Sequence, residues 1–145
     1  MATQLLFYSE VVPVSSESHS DLSISGVENF GFASKTNSIP LVAAEFRSAA
    51  SEYGIVFVNS DDTIVPIAAL GLRQDENAFI GDEGQWDAAY IPAFVRRYPF
   101  AFAHNTEKNQ YTLCIDEAFS GCNKEGRGER LFDTDGETTT FFVTT

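Results

Sequence analysis

The sequence predicts an α+β fold, with antiparallel β-hairpins carrying one main helix and one short one. Three observations predict it. β-prone runs pair across polar turns, Ile55–Val58 with Thr63–Leu72 and Phe100–Ala103 with Gln110–Glu117. Val42, Phe46, Ala49 and Tyr53 recur at a period of 3.6 through Leu41–Tyr53. A shorter helical segment lies between Pro92 and Pro99.

Residues 9–25, SEVVPVSSESHSDLSIS, are serine-rich and aperiodic until Leu22 and Ile24 alternate with serines. This predicts a loop and then a short strand. Gly26–Ser38 reads as an ordered loop anchored by Phe30 and Phe32, so residues 1–38 form a loop-rich N-terminal part. The main helix is expected over about 40–53, with Ser38 as N-cap, Pro40 in the first turn and Gly54 as the stop. Asn59–Asp62 turns the first hairpin. Pro66 cannot donate to a ladder, which puts its strand at an edge or at a bulge.

Gly71–Gly84 reads as turns around a short strand at Ala78–Ile80, and Pro92 opens the short helix of about 92–98. In the second hairpin Tyr111, Leu113 and Ile115 alternate with Thr112, Cys114 and Asp116, a half-buried pattern. Ser120–Arg130 is glycine-rich and charged and predicts a mobile loop. Leu131–Phe132, the turn Asp133–Gly136 and Thr138–Thr145 predict a last hairpin-like unit ending on a strand. Such an unprotected strand is a pairing hazard, which suggests a partner that covers it. No internal repeat is visible.

A chain of 145 residues suits a single domain spanning 1–145. With 43% hydrophobic and 21% charged residues it is globular. Nine Lys and Arg against 21 Asp and Glu give a net charge of −12, which disfavours nucleic acid and anionic lipid as partners. The N-terminus MATQLLFYSEVV has no basic residue before its apolar patch and reaches Glu10 early, so no secretory signal is expected and the cytoplasm is the default location. Apolar runs such as Ile64–Leu72 fall far short of the roughly 20 residues of a membrane span. Cys114 and Cys122 are eight residues apart, a spacing that fits no zinc motif. Two free thiols are expected, with a bridge closing an Ω-shaped loop as the alternative.

No phosphate-binding glycine loop, G-x-S-x-G elbow, H-E-x-x-H or C-x-x-C occurs, so no catalytic residue, metal or cofactor is assigned. His19, in the serine-rich segment, reads as solvated. His104 at a hairpin corner, Cys114 ten residues later and the acids Asp116 and Glu117 are the residues an enzyme reading would use. Asp116 and Glu117 with Asp133 and Asp135 could gather around a hard cation, but the DTDGE segment lacks the later ligands of a calcium loop and reads as a solvated turn.

The richest stretch is GQWDAAYIPAFVRRYPFAF, residues 84–102. It holds the only tryptophan and the only adjacent basic pair of the chain. Trp, Tyr and Arg dominate binding hot spots, which makes Trp86, Tyr90, Arg96 and Arg97 a candidate recognition patch for a peptide or anionic group. A core role is the alternative: Trp86 and Tyr90, four apart, share a face if helical, and the arginines can pair with the excess acids.

These residues resemble the bacterial SapC family. The likeness is carried by AEFRSAASEYGIVF (44–57), PIAALGL (66–72), N-x-F-I (77–80), GQWDAAYIPAFVRRYPF (84–100), LCIDE (113–117) and LFDTDGE (131–137) followed by TTTFF. The resemblance implies a protein linked to bacterial surface-layer protein and its export, with a surface-layer or secretion component as partner and cell-surface association through it. It implies no catalytic residues. It also implies a further, largely helical segment that this chain lacks. The leading expectation is therefore a non-enzymatic, protein-binding accessory. The alternatives are an enzyme or enzyme subunit acting on a peptide or exported protein, and a complex subunit whose Thr138–Thr145 strand is completed by another chain.

Overall fold

Where β-prone runs meet tight turns, the chain closes into short hairpins. The computed structural model describes residues 6–144. In chain order it contains β1 (Val11–Pro13), α1 (Ser16–His19), β2 (Ser23–Ile24), β3 (Ser38–Pro40), α2 (Phe46–Ala49, entered through a 3-10 turn at Ala43–Glu45), β4 (Gly54–Ser60) and β5 (Thr63–Ala69). Then follow α3 (Ala93–Arg96), β6 (Phe100–Asn105), β7 (Gln110–Asp116), β8 (Cys122–Asn123), β9 (Glu129–Arg130) and α4 (Thr140–Thr144). The strands form three antiparallel sheets, ordered β1–β7–β6, β8–β2–β9 and β3–β5–β4. This is the α+β class that the sequence predicts.

The chain folds as two compact units, Glu28–Tyr98 and the segments Met1–Val27 with Pro99–Thr145. Among the described residues no helix is long and apolar enough to cross a membrane. The first five residues of the segment read against a secretory signal lie outside the described residues.

In unit Glu28–Tyr98, Asp61 and Asp62 both take positive φ, 42° and 65°, between the paired Ser60 and Thr63. That is the two-residue turn whose twist matches a hairpin. The main helix is shorter than the predicted 40–53. Pro40 lies in β3 opposite Ile67, because its fixed φ and missing N–H suit a strand end as well as a first helical turn. Ser38 likewise pairs with Ala69 instead of capping. The strand β5 is central, not at an edge, and its register runs without a bulge through Pro66. The carbonyl of Pro66 accepts from Leu41 N, so the ring nitrogen also faces β3 and the β4 ladder loses nothing. Ala78–Ile80 forms no strand, only a bridge from Ile80 to Trp86. Ile39, Ala49, Ala68, Leu70 and Val95 make the core.

In the other unit, Ile115 and Leu131 are fully buried beside Leu22, Ile24, Phe119 and Phe132. The segment Ser120–Arg130, expected to be mobile, instead carries β8 and β9 on either side of β2. Asn123 pins it, donating to the carbonyls of Ser23, Gly121 and Arg127 and accepting from Glu125 N and Arg127 N. The predicted terminal strand is a helix. Thr139 caps it by accepting from Phe142 N, and Phe141 and Phe142 turn onto Phe100 and Phe132. Thr145, the last residue of that expected strand, lies outside the described residues.

Each unit repeats one motif that the sequence does not show. A three-residue strand ending in proline pairs with the last three residues of a seven-residue second hairpin strand: Val11, Val12 and Pro13 opposite Asp116, Ile115 and Cys114, and Ser38, Ile39 and Pro40 opposite Ala69, Ala68 and Ile67. The next backbone bond matches too, Val14 N to Leu113 O and Leu41 N to Pro66 O. The equivalence places Phe57 with Phe102 and Ile64 with Tyr111, all four of them exposed. It escapes a sequence reading because the partner strands of one copy lie about 100 residues apart, separated by the whole other copy.

Candidate functional site

The segment from Trp86 to Pro92 has no helix or strand; Asp87 N finds the Phe79 carbonyl, and the donors that follow find side-chain partners. Two carboxylates supply them. Glu52 accepts from the consecutive N–H groups of Ala89 and Tyr90 at 2.8 and 2.7 Å. Glu45, buried, accepts from Ala93 N at 2.7 Å and from the Tyr90 hydroxyl at 2.8 Å, while its other oxygen takes Val42 N at 3.0 Å. Burial pushes the Glu45 carboxyl up, but the bonds from Ala93, Val42 and Tyr90, with the Arg96 charge, leave it below its ordinary pKa. It is therefore an anion at neutral pH.

Trp86 is an anchor of this strap. Its ring lies against Phe30 and Phe79, at centroid distances of 5.8 and 6.4 Å, and its Nε1 donates to the Tyr53 hydroxyl at 2.8 Å. The Tyr53 hydroxyl in turn donates to the Tyr90 carbonyl. Burial raises the pKa of both tyrosines, with Glu45 adding to the effect at Tyr90, so both stay neutral donors. Trp86 and Tyr90 do not share a helical face; they are joined through Tyr53.

The strap leads through Pro92 into α3, which presents Arg96 and Arg97 to solvent. Arg96 Nε donates to Ile91 O at 2.8 Å, and its Cζ lies 5.8 Å from the Tyr90 ring centroid. The Cζ of Arg97 lies 4.1 Å from the Phe94 centroid. Both guanidiniums thus rest on aromatic faces that limit their motion while leaving them exposed. Two pre-set cationic side chains thus stand on the surface of an acidic chain.

The enzyme candidates do not converge. His104 is exposed, stacked on Tyr111 at 4.5 Å and bonded to Asn109. Five residues of β7, roughly 17 Å, separate Tyr111 from Asp116. Cys114 points to the face of β7 opposite Tyr111, away from the His104 ring. Asp116, fully buried, accepts from Ser9 N, Glu10 N and Ala118 N, and so clamps the N-terminal segment to the end of β7. Glu117 accepts from His19 Nε2 at 3.1 Å. His19 is 1% exposed, not solvated, because Ser15 caps α1 and turns its ring inward. Asp133 Oδ1 accepts from Asp135 N and Glu137 N, which makes DTDGE a self-capped turn. Among the described residues no three His, Cys, Asp or Glu side chains are grouped to hold a metal.

Both cysteines are free thiols. Burial, with the charges of Asp116 and Glu117, pushes Cys122 up to about 11. At neutral pH its alkylation by iodoacetamide should be about 100-fold slower than that of an ordinary cysteine. Rapid labelling of Cys122 in the folded protein would contradict that environment.

Sequence reasoning missed Glu45, Glu52 and Tyr53, which organise the strap. The only signal was two acids within the predicted helix of about 40–53, ahead of a stretch with neither helix nor strand periodicity.

The family model for SapC matches residues 14–144. No curated protein and no solved structure matches the chain. With the match covering nearly the whole sequence, the chain belongs to the SapC family.

Proposed function

We propose that this SapC-family chain is a non-enzymatic accessory in the biogenesis of a bacterial surface-layer or other exported protein, and that it works by protein contact. The observation that carries the reading is that two exposed arginines, Arg96 and Arg97, are each held against an aromatic ring, Tyr90 and Phe94. Arginines held on aromatic rings suit recognition of carboxylate groups, and little side-chain freedom is left to lose on binding. Family membership supports the link to surface-layer protein. Trp86 contributes by fixing the strap, not by touching the partner.

Changing Arg96 and Arg97 together to alanine should reduce capture of the partner at least about tenfold with the fold retained by circular dichroism. Undiminished capture by a folded double variant removes this patch from the account. The enzyme alternative has no specific observation in its favour, since His104, Asp116 and Glu117 are engaged separately and Cys114 lies on the face of β7 opposite the His104 ring.

A further inference from the structure

The helix α3 carries its two arginines to different neighbours. Side chains on a helix lean toward its N-terminus, so Arg96 lies back over the strap while Arg97, one residue on, lies over Phe94. Arg96 engages the strap twice. Its Nε donates to Ile91 O at 2.8 Å, and its Cζ stands 5.8 Å from the Tyr90 ring centroid. Tyr90 leads on to Glu45, because the Tyr90 hydroxyl and Ala93 N donate to one Glu45 oxygen at 2.8 and 2.7 Å.

Glu45 is 6% exposed, and a buried carboxylate is costly unless bonds and an opposite charge offset its lost hydration. Val42 N, Ala93 N and the Tyr90 hydroxyl supply the bonds. Arg96 supplies the charge. Burial raises the pKa values of Glu45 and Tyr90, and at both the Arg96 charge acts the other way. The other titratable groups at the strap are Glu52, which takes the N–H groups of Ala89 and Tyr90, and Tyr53, whose hydroxyl donates to the Tyr90 carbonyl. Among the described residues neither bonds Glu45 or Arg96.

We infer that Arg96 is a positioning residue, the counter-charge that locks the strap onto Glu45, and that Arg97 is the arginine that meets the partner. The second half rests on the capture reading above; the first does not. The lock fixes where α3 begins, since Ala93 N and Ile91 O are both held by it, and so fixes where Arg97 stands.

Unfolding midpoints against pH for the parent, Arg96→Ala, Arg96→Lys and Arg97→Ala chains test the lock. Arg96→Ala should lower the midpoint of unit Glu28–Tyr98 by about 4–8 °C at neutral pH. It should also move the acid limb to higher pH. The folded Glu45 value, held below 4.5 with Arg96 in place, then rises, so the stability lost as pH falls is lost sooner. Arg96→Lys keeps the charge and should return the acid limb toward the parent position, while Arg97→Ala should leave midpoint and limb unchanged. Capture from a lysate of the source cell should fall at least about tenfold with Arg97→Ala, and Arg96→Lys should restore most of what Arg96→Ala loses. An Arg96→Ala chain with the parent's midpoint and acid limb overturns the lock. Full capture by Arg97→Ala beside a loss with Arg96→Ala overturns the assignment to Arg97 and leaves the capture reading standing. Equal capture by every variant removes the capture reading and Arg97 with it, while the stability profile still decides the lock.

Discussion

Asp116→Ala should lower the thermal midpoint of the unit containing β1, β6 and β7 by roughly 12–24 °C, the equivalent of about 3 kcal/mol. The carboxylate is fully buried and accepts three backbone N–H groups, two of them on the segment at Ser9 and Glu10, over 100 residues away in sequence. Alanine leaves those donors without their anion and releases the strand that β1 begins. Asp116→Asn should lose much of the same stability, because its amide turns a donor toward a cluster of donors. Hydrogen exchange should show the loss confined to 6–27 and 99–144. A midpoint within about 2 °C of the parent protein contradicts the clamp.

Glu45→Ala should lower the stability of unit Glu28–Tyr98 by about 2–3 kcal/mol, since it leaves Val42 N, Ala93 N and the Tyr90 hydroxyl unsatisfied. The pH dependence separates charge from packing. The folded pKa of Glu45 is below its ordinary 4.5, so its contribution is present above that value and is lost as pH falls through the folded one. Glu45→Gln should flatten the acid limb of the stability profile while keeping part of the strap. The tyrosines act at the other end. Raised pKa values for Tyr53 and Tyr90 give stability that is present below pH 10.0 and lost as pH rises through their folded values. Unfolding midpoints against pH for parent and Glu45→Gln proteins check both limbs, and identical acid limbs would deny Glu45 its role.

The hairpins β4–β5 and β6–β7 were legible because their signals are local: alternation, β-branched runs and polar turns within 20 residues. The main helix was overextended because propensity alone cannot see that Ser38–Pro40 has Ile67–Ala69 to pair with. The run TTTFFVTT has strand propensity, yet Thr139 offers a cap and two phenylalanines find ring partners, so tertiary contact wins over propensity. His19 was misplaced for the same reason: its partner Glu117 is 98 residues away. At the candidate site the residue types Trp86, Tyr90, Arg96 and Arg97 stood out, but their division of labour did not. Which residues anchor and which face solvent depends on Glu45, Glu52 and Tyr53, whose bonds to residues 86–93 span 33 to 48 positions.

The proposed function places capture of a surface-layer or secretion component at Arg96 and Arg97. Affinity capture of the full chain from a lysate of its own source cell, with bound proteins identified by mass spectrometry, tests it most directly. The account predicts recovery of a surface-layer or secretion protein by the parent chain and its loss with the double alanine variant. Recovery of no such protein by a folded chain, or equal recovery by both, contradicts it.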